Sequence, residues 1–325
     1  MPISFKPLHQ HFAAEVRDFD MREPIDAETV RTFEQAIDRH GILVFPAQSV
    51  DDSQQLAFTA NFGPPDIGRK KAVKTADSRV PEAMIDLSNL DENGYVIDPD
   101  HRRVLSLLGT RLWHSDSSYQ RPAAKYSMLR AVAVPPVGGE TEFADCRAAY
   151  DALPDVLRTE AENRFAVHWV HHSRSTLGWE PTEEEIRGAM PPVRWPLVRV
   201  HSGSGRKMIY IGAHARRVIG MPLPAGRILL RDLQEHATQP EFVYRHAWQP
   251  GDLVLWDNRA VMHRGCRYDL SQIRDMRRTT VLDLASINER DCGEELTFTP
   301  TRAPPLPPSY GVPRSPDTPP ATRTA

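Results

Sequence analysis

The sequence predicts a mainly β fold, a closed or sandwich-like structure that carries helical insertions. Short apolar runs typical of buried strands recur far apart along the chain, and stretches with the 3.6-residue period of helices interrupt them. Strands joined by such long connections favour this class of fold. The predicted strands cover residues 42–46, 84–88, 127–134, 193–200, 208–211, 253–256 and 279–284.

Four helices are predicted among these strands. The clearest covers residues 26–41, where Asp26 is a capping residue and Gly41 a terminating one. Between them Val30, Phe33 and Ile37 recur on one face of the helix. The other helices are predicted at residues 52–61, 148–164 and 226–237.

Composition limits the class of protein. The 325 residues are 40% hydrophobic and 26% charged, which is typical of a globular domain. Lys and Arg number 40 against 43 Asp and Glu, so the charge gives no reason to expect a nucleic-acid partner. No apolar run is long enough to cross a bilayer, the first residues do not resemble a signal peptide, and the three cysteines are widely separated. We therefore expect a reduced cytoplasmic protein that has no membrane partner.

The domain organisation follows from one change in composition. From residue 300 onward the chain is rich in proline and poor in apolar residues, so it has little surface to bury and cannot form regular ladders. No internal repeat and no other boundary precedes this point. The sequence predicts a single domain over residues 1–299, followed by a proline-rich, disordered tail over residues 300–325.

Three widely spaced residues have the chemistry of a metal site. His114 and Asp116 are two residues apart, so in an extended segment both side chains point to one face. Alone, such a pair is more typical of a polar strand end than of a metal site. His263 follows an apolar strand much later in the chain and supplies a third donor. Two histidines and one carboxylate form the facial triad that suits Fe(II) and leaves coordination positions open.

Two arginines follow the last of these donors. Arg274 and Arg278 have even spacing in the run over residues 273–281, so in an extended segment they share one face. A guanidinium at such a place can hold a carboxylate through two hydrogen bonds. The neighbouring Arg277 is interpreted as part of a solvated basic edge.

Longer motifs surround these residues, and together they resemble one enzyme family over residues 7–284. The chain is similar to the Fe(II)- and 2-oxoglutarate-dependent dioxygenases of the taurine and 2,4-dichlorophenoxyacetate (TauD/TfdA) type, and most similar to the 2,4-dichlorophenoxyacetate branch. The motifs are Leu-Trp-His-Ser-Asp-Ser-Ser at 112–118, Pro-Pro-Val-Gly-Gly-Glu-Thr-Glu-Phe-Ala-Asp at 135–145, Ala-Met-Pro-Pro-Val-Arg-Trp-Pro-Leu-Val-Arg at 189–199, Ile-Gly-Ala-His-Ala at 211–215, Trp-Asp-Asn-Arg at 256–259 and His-Arg-Gly at 263–265.

The resemblance implies a fold and a site. It implies a double-stranded β-helix, or cupin-like jelly roll, with helical insertions, and it makes His114, Asp116 and His263 the ligands of Fe(II). Thr141 and Arg274 match residues that bind 2-oxoglutarate in the family. Arg278 matches an arginine that serves either the substrate's acid group or 2-oxoglutarate. A homo-oligomer is also implied.

The implied reaction consumes O2 and 2-oxoglutarate, releases succinate and CO2, and hydroxylates a small carboxylic acid. For an aryloxyalkanoate of the phenoxyacetate type, hydroxylation beside the ether oxygen gives a hemiacetal that breaks down to a phenol and an oxoacid. A different natural acid or a sulfonate is an alternative substrate. From other classes, a zinc-dependent hydrolase or a non-enzymatic β-barrel binding module remain as remote alternatives.

Further residues are candidates for substrate contacts because they stand in segments that the family uses near its pocket. Each has an alternative interpretation, as a structural loop histidine, a solvated basic loop or the end of a strand. These candidates are His214, Lys71, Lys74, Asn89 and Tyr95.

Overall fold

The computed structural model describes residues 2–67, 79–188 and 190–289. Within these ranges no helix has both the length and the apolar character that crossing a bilayer requires. The predicted domain boundary at residue 299 and the proline-rich tail lie outside the described residues.

The described part of the chain is mainly β, as predicted, with helices between the strands. The strands are β1 (Ser4–Pro7), β2 (Ala14–Arg17), β3 (Ile42–Phe45), β4 (Ile85–Asp86), β5 (Ala123–Ala133), β6 (Thr141–Asp145), β7 (Phe165–His168), β8 (Val193–Pro196), β9 (Val198–Val200), β10 (Lys207–Ile209), β11 (Ala215–Val218), β12 (Val243–His246), β13 (Leu253–Asp257), β14 (Val261–Gly265) and β15 (Asp275–Asp283). The helices are α1 (Ala27–His40), α2 (Asp52–Ala60), α3 (Arg102–Gly109), α4 (Cys146–Asp151), α5 (Asp155–Ala161), α6 (Val170–Ser175), α7 (Glu183–Gly188) and α8 (Leu223–Ala237).

A large sheet and a small sheet pack face to face. The large sheet has seven strands in the order β1-β2-β3-β13-β5-β15-β4, and the small one has the order β12-β6-β14. Between them lies a buried apolar cluster, in which the rings of Phe143 on β6 and Trp256 on β13 are 5.5 Å apart. Because β13 pairs with β3 and β5, and β6 pairs with β12 and β14, residues from distant parts of the chain meet at the edge of this sandwich.

Helices α1 and α2 cover the other face of the large sheet. The predicted caps of α1 are confirmed, since the Asp26 side chain accepts from the Thr29 N–H and Gly41 ends the helix in the left-handed conformation. The inward face of α1 buries Phe33 against Phe45 of β3 and Phe58 of α2, with ring centroids 5.4 and 6.0 Å apart. The sheet therefore has an apolar cluster on each face.

Two predicted elements were wrong. The single helix predicted over residues 148–164 is two helices, α4 and α5, because Pro154 disfavours a helical conformation at the residue before it. The strand predicted over residues 193–200 is interrupted at Leu197, whose N–H donates to the Arg164 carbonyl and whose carbonyl accepts from Tyr210, outside any strand pairing.

The fold predicts the effect of one core substitution. Phe33→Ala should lower the free energy of unfolding by about 3–5 kcal/mol, because it removes a fully buried ring from the cluster between α1 and the large sheet. Chemical denaturation followed by circular dichroism measures the change. Val137→Ala, at a side chain that is 81% exposed, is the control and should change stability little. Equal effects of the two substitutions would contradict this account of the core.

Candidate functional site

Two backbone hydrogen bonds hold the two predicted histidines together. The N–H of His114 donates to the carbonyl of His263 at 3.0 Å, and the N–H of His263 donates to the carbonyl of His114 at 2.8 Å. This bridge joins the loop after α3 to β14, and it leaves the imidazole centroids 4.3 Å apart. Both side chains are buried. The chain thus brings together two residues that are far apart in sequence, as predicted.

The carboxylate of Asp116 completes the group. Its oxygens lie 3.9 Å from Nε2 of His114 and 3.8 Å from Nε2 of His263. All three side chains offer a donor atom within 4.8 Å of the others. The predicted set of two histidines and one carboxylate is therefore assembled in space.

The protonation states suit a metal cation. Burial lowers the pKa of His114 and lowers the pKa of His263 well below the ordinary value, so both rings are neutral near pH 7. Burial alone would raise the pKa of Asp116, but the charge of Arg278, aided by neighbouring groups, outweighs it and lowers that pKa, which keeps the side chain a carboxylate. His114 Nδ1 lies 2.7 Å from the Leu112 carbonyl, so this nitrogen is the protonated one and Nε2 is free to bind a metal. Two neutral nitrogens and one anionic oxygen fit a divalent transition metal.

Residues of the large sheet orient the carboxylate. Ser127 on β5 donates to Asp116 Oδ2 at 2.8 Å, and the Asn258 amide donates to the Ser127 hydroxyl at 2.9 Å. Asn258 also accepts from the Asp116 N–H and from the Trp256 indole, each at 3.0 Å. On the other side, Arg278 on β15 forms an ion pair with Asp116 Oδ1.

A second group of residues lies beside the three donors and includes Thr141 and Arg274. The buried guanidinium of Arg274 makes hydrogen bonds to the Gly139 carbonyl at 3.2 and 3.3 Å. No carboxylate among the described residues forms an ion pair with Arg274, and burial lowers the pKa of this arginine. A buried guanidinium of this kind is stabilised when an anion binds it. Both residues line one small cavity together with His114, His263 and Arg278.

The hydroxyl of Thr141 has a fixed orientation. The indole Nε1 of buried Trp248 donates to Thr141 Oγ1 at 3.0 Å. Because that bond occupies the oxygen as an acceptor, the Thr141 hydroxyl proton remains available for donation into the cavity.

A larger cavity of about 390 Å³ opens on the other side of the three metal-ligand candidates. It is lined by the predicted substrate residue His214, by Arg278, and by side chains of both polar and apolar character from β4 to α6. The buried Nε of Arg278 has no hydrogen-bond partner among the described residues. Arg278 lines both cavities, and it also contacts the metal-ligand candidate Asp116.

Two of the other predicted substrate residues, Tyr95 and Asn89, do not line this cavity. Tyr95 is 73% exposed and does not line it. Asn89 is buried, but its side-chain amide binds the backbone of the loop before β15, so it does not line it either. Neither residue therefore contacts this cavity in the described part of the chain, because Tyr95 is exposed and the Asn89 amide is bound to backbone groups. Lys71 and Lys74 lie outside the described residues.

One arginine differs from its prediction as a solvated basic residue. Arg277 is buried, and its guanidinium binds Asp86 at 3.1 Å and also pairs with Asp275. It lies on the face of β15 opposite to Arg278, as the alternation of a strand requires.

Sequence reasoning also missed Ser127, Asn258 and Trp248, which orient the candidate ligands. Asn258 was visible next to Asp257 in the motif at 256–259, whereas Ser127 and Trp248 have no local signal. Each acts through a partner more than 10 residues away.

Comparison with known proteins agrees with this geometry. The family described as "Taurine catabolism dioxygenase TauD, TfdA family" matches residues 4–280, and the chain belongs to this family. It is therefore an oxidoreductase that depends on 2-oxoglutarate, with Fe(II) and O2 as the cofactor and cosubstrate that the family implies.

Two relatives and one solved structure are similar to most of the chain. The chain is 52% identical, over 88% of its length and 100% of the relative, to the alpha-ketoglutarate-dependent 2,4-dichlorophenoxyacetate dioxygenase of Cupriavidus pinatubonensis. It is 48% identical to the enzyme of the same name from a Burkholderia species, over 87% of this chain and 95% of that one. Among solved structures, AAD-2 in complex with Mn(II) and N-oxalylglycine is 46% identical, with a TM-score of 0.80 over 87% of this chain and 97% of that one.

The contact between Trp248 and Thr141 predicts a specific effect on 2-oxoglutarate. Trp248→Phe removes the N–H donor together with part of the buried indole ring, so the Thr141 hydroxyl loses its orientation, and the KM for 2-oxoglutarate should rise roughly five- to tenfold. Succinate formation at varied 2-oxoglutarate concentration measures it. Tyr244→Phe removes a neighbouring hydroxyl that contacts His246, not Thr141, and serves as the control. An unchanged KM in Trp248→Phe would contradict the assignment of Thr141.

Proposed function

We propose that the enzyme hydroxylates a small carboxylic acid of the aryloxyalkanoate type, in which an aromatic ring is joined through an ether oxygen to a short acid. The observation that carries this proposal is the position of Arg278. Its guanidinium lies between the three metal-ligand candidates and the larger cavity, so an acid bound there has its neighbouring carbon next to the donors. The names of the relatives at 52% and 48% identity support the substrate class.

We also propose the double-stranded β-helix for the sandwich of the two sheets, since the metal-ligand candidates lie at its edge. In this arrangement His114, Asp116 and His263 hold Fe(II). The iron, when bound, supplies the activation of O2 that is coupled to the breakdown of 2-oxoglutarate into succinate and CO2.

The residues of the chain bind and orient the two organic molecules. Arg274 receives the distal carboxylate of 2-oxoglutarate through its guanidinium, and Thr141 donates its hydroxyl proton to a carboxylate oxygen of the same molecule. Arg278 receives the carboxylate of the substrate, which fixes the adjacent C–H bond toward the metal-ligand candidates. Hydroxylation of that carbon, next to the ether oxygen, gives a hemiacetal that breaks down to a phenol and an oxoacid.

The size and lining of the larger cavity agree with an aromatic acid. A volume of about 390 Å³ lies within the range of small-molecule sites, and Leu87, Leu107 and Tyr119 supply apolar surface for a ring. His214 lies in the same wall, with its ring 4.8 Å from that of Tyr119. We therefore assign to His214 a place next to the substrate ring, opposite the arginine that holds the acid.

Alternative functions are less well supported by the same residues. A zinc-dependent hydrolase would use the three donors, but it would leave the buried guanidinium of Arg274 without a ligand. A non-enzymatic binding module would use neither the three metal-ligand candidates nor the guanidinium of Arg274. A different natural acid, or a sulfonate, would use Arg278 in the same way and is therefore the alternative that a substrate panel must test.

Anaerobic titration tests the reaction class. Addition of Fe(II) and 2-oxoglutarate should produce a weak visible charge-transfer band, and Asp116→Ala should lose both the band and iron-dependent succinate formation, because one of three metal donors is removed. Asp98→Ala, at an exposed carboxylate that is not one of the metal-ligand candidates, is the control. Retained turnover in Asp116→Ala would refute the metal assignment.

A substrate panel tests the substrate class. It consists of aryloxyalkanoic acids, other carboxylic acids and sulfonates, and the measurement is substrate-dependent succinate release.

Substitution of Arg278 should affect the binding of the substrate, whereas substitution of Arg274 should affect the binding of 2-oxoglutarate. Arg278→Ala should raise the KM for the acidic substrate by orders of magnitude and uncouple 2-oxoglutarate consumption from hydroxylation, because the substrate loses its positioning contact. Arg274→Ala should instead raise the KM for 2-oxoglutarate. Measured phenol and succinate yields at varied concentrations of each molecule give both constants. If Arg278→Ala abolishes 2-oxoglutarate binding and leaves substrate affinity unchanged, both arginines serve 2-oxoglutarate.

We further propose that the protein is a cytoplasmic homo-oligomer, and that residues 1–299 form its catalytic domain. The expectation of an oligomer rests on the family. Size-exclusion chromatography with light scattering on the full chain measures its mass, and a mass of 36.7 kDa would refute the oligomer.

A further inference from the structure

The side chain of Asn89 makes three hydrogen bonds to one loop. This loop connects β14 to β15 and ends at Arg274. The Asn89 amide donates to the carbonyls of Leu270 and Gln272, each at 2.8 Å, and its oxygen accepts from the Arg274 N–H at 2.8 Å. The side chain is 1% exposed. All hydrogen-bonding atoms of the Asn89 amide group are thus directed at the backbone that carries one guanidinium.

The backbone of Asn89 reinforces this contact. Its N–H donates to the Arg274 carbonyl at 3.2 Å, and the Leu87 N–H donates to the Met276 carbonyl at 3.0 Å, which continues the pairing of β4 with β15. Arg274 therefore has both its N–H and its carbonyl bound to a single residue. Leu87, two residues earlier, lines both cavities.

The guanidinium of Arg274 depends on this arrangement. The loop before it packs closely over Gly139, whose carbonyl binds Nε and Nη2 of Arg274, and the Gly139 N–H donates to the Arg267 carbonyl at 3.1 Å. At the adjacent Gly138 a Cβ would lie only 2.3 Å from that same carbonyl. The loop is therefore held from one side by the glycines and from the other side by Asn89.

We propose that Asn89 is a positioning residue for 2-oxoglutarate, one that acts through Arg274 and couples the wall of the larger cavity to the cosubstrate site. The proposal rests on the proposed role of Arg274. Without Asn89, the carbonyls of Leu270 and Gln272 and the N–H of Arg274 lose their buried partner, and the loop can shift. The guanidinium is then no longer held where the distal carboxylate binds, and a small displacement of such a group is costly.

The test is Asn89→Ala in the full chain. We expect the KM for 2-oxoglutarate to rise roughly tenfold or more, with kcat at saturating 2-oxoglutarate largely kept and the KM for the acidic substrate little changed. A purely structural role would lower the amount of folded enzyme and leave this KM unchanged. Asn61→Ala is the matched control, because the Asn61 amide also donates to two carbonyls, at 2.9 and 3.0 Å, but at the end of α2.

Direct binding gives a second readout that does not require turnover. Isothermal titration of the Mn(II)-loaded protein with N-oxalylglycine should show weaker binding in Asn89→Ala than in wild type and Asn61→Ala. If Asn89→Ala folds poorly, Asn89→Asp is used: it keeps the acceptor for the Arg274 N–H but replaces the donor to the two carbonyls, so it should weaken the same binding.

Two outcomes distinguish the inference from the function on which it rests. Unchanged N-oxalylglycine binding in both Asn89 variants, together with lost binding in Arg274→Ala, would overturn the role of Asn89 and leave that of Arg274 intact. Unchanged binding in Arg274→Ala would instead refute the proposed cosubstrate site. A higher substrate KM with an unchanged 2-oxoglutarate KM would also overturn the proposal.

Discussion

The pair of backbone hydrogen bonds between His114 and His263 is the interaction on which the site depends. It ties the loop after α3 to β14 of the small sheet, so both imidazoles emerge at one point. Asp116, two residues after His114, is then carried to the large sheet, where Ser127 and Asn258 orient it. The metal-ligand candidates therefore belong to both layers of the sandwich, and their spacing depends on how those layers pack.

Charge compensation is the second constraint, and β15 shows it on its two faces. On the outer face, Arg277 lies among Asp86 and Asp275, and Arg79 binds Asp275 at 2.8 Å, so these buried charges neutralise one another. On the inner face, Arg278 pairs with Asp116, while Arg274, just before the strand, has no carboxylate partner in the described part of the chain. A buried ion pair mainly offsets its own desolvation, whereas an uncompensated guanidinium favours an anionic ligand. This difference explains why Arg274 is assigned to binding and Arg277 to structure, whereas the assignment of Arg278 rests on its place in the wall of both cavities.

The fold and the site could be predicted to different extents. Helix α1 was predicted to within a residue, because its cap and its apolar period are local features. The short strands β1 and β2 were missed, because β1 is largely exposed and neither has a long apolar run. Asn89 was predicted as a substrate contact, whereas its side chain binds the loop before β15. Its contacts with Leu270 and Gln272 span about 180 positions, and no local pattern predicts them.

By itself the sequence determined the residue types and their local spacing. These are the two-residue interval of His114 and Asp116, the even spacing of Arg274 and Arg278, and the motifs shared with a family that matches residues 4–280. Only the tertiary structure decided which carboxylates neutralise which arginines, which residues orient the ligand candidates, and that Tyr95 is exposed. The physical reason is that spacing along a strand follows from backbone geometry, whereas burial and pairing depend on the packing of strands far apart in the chain.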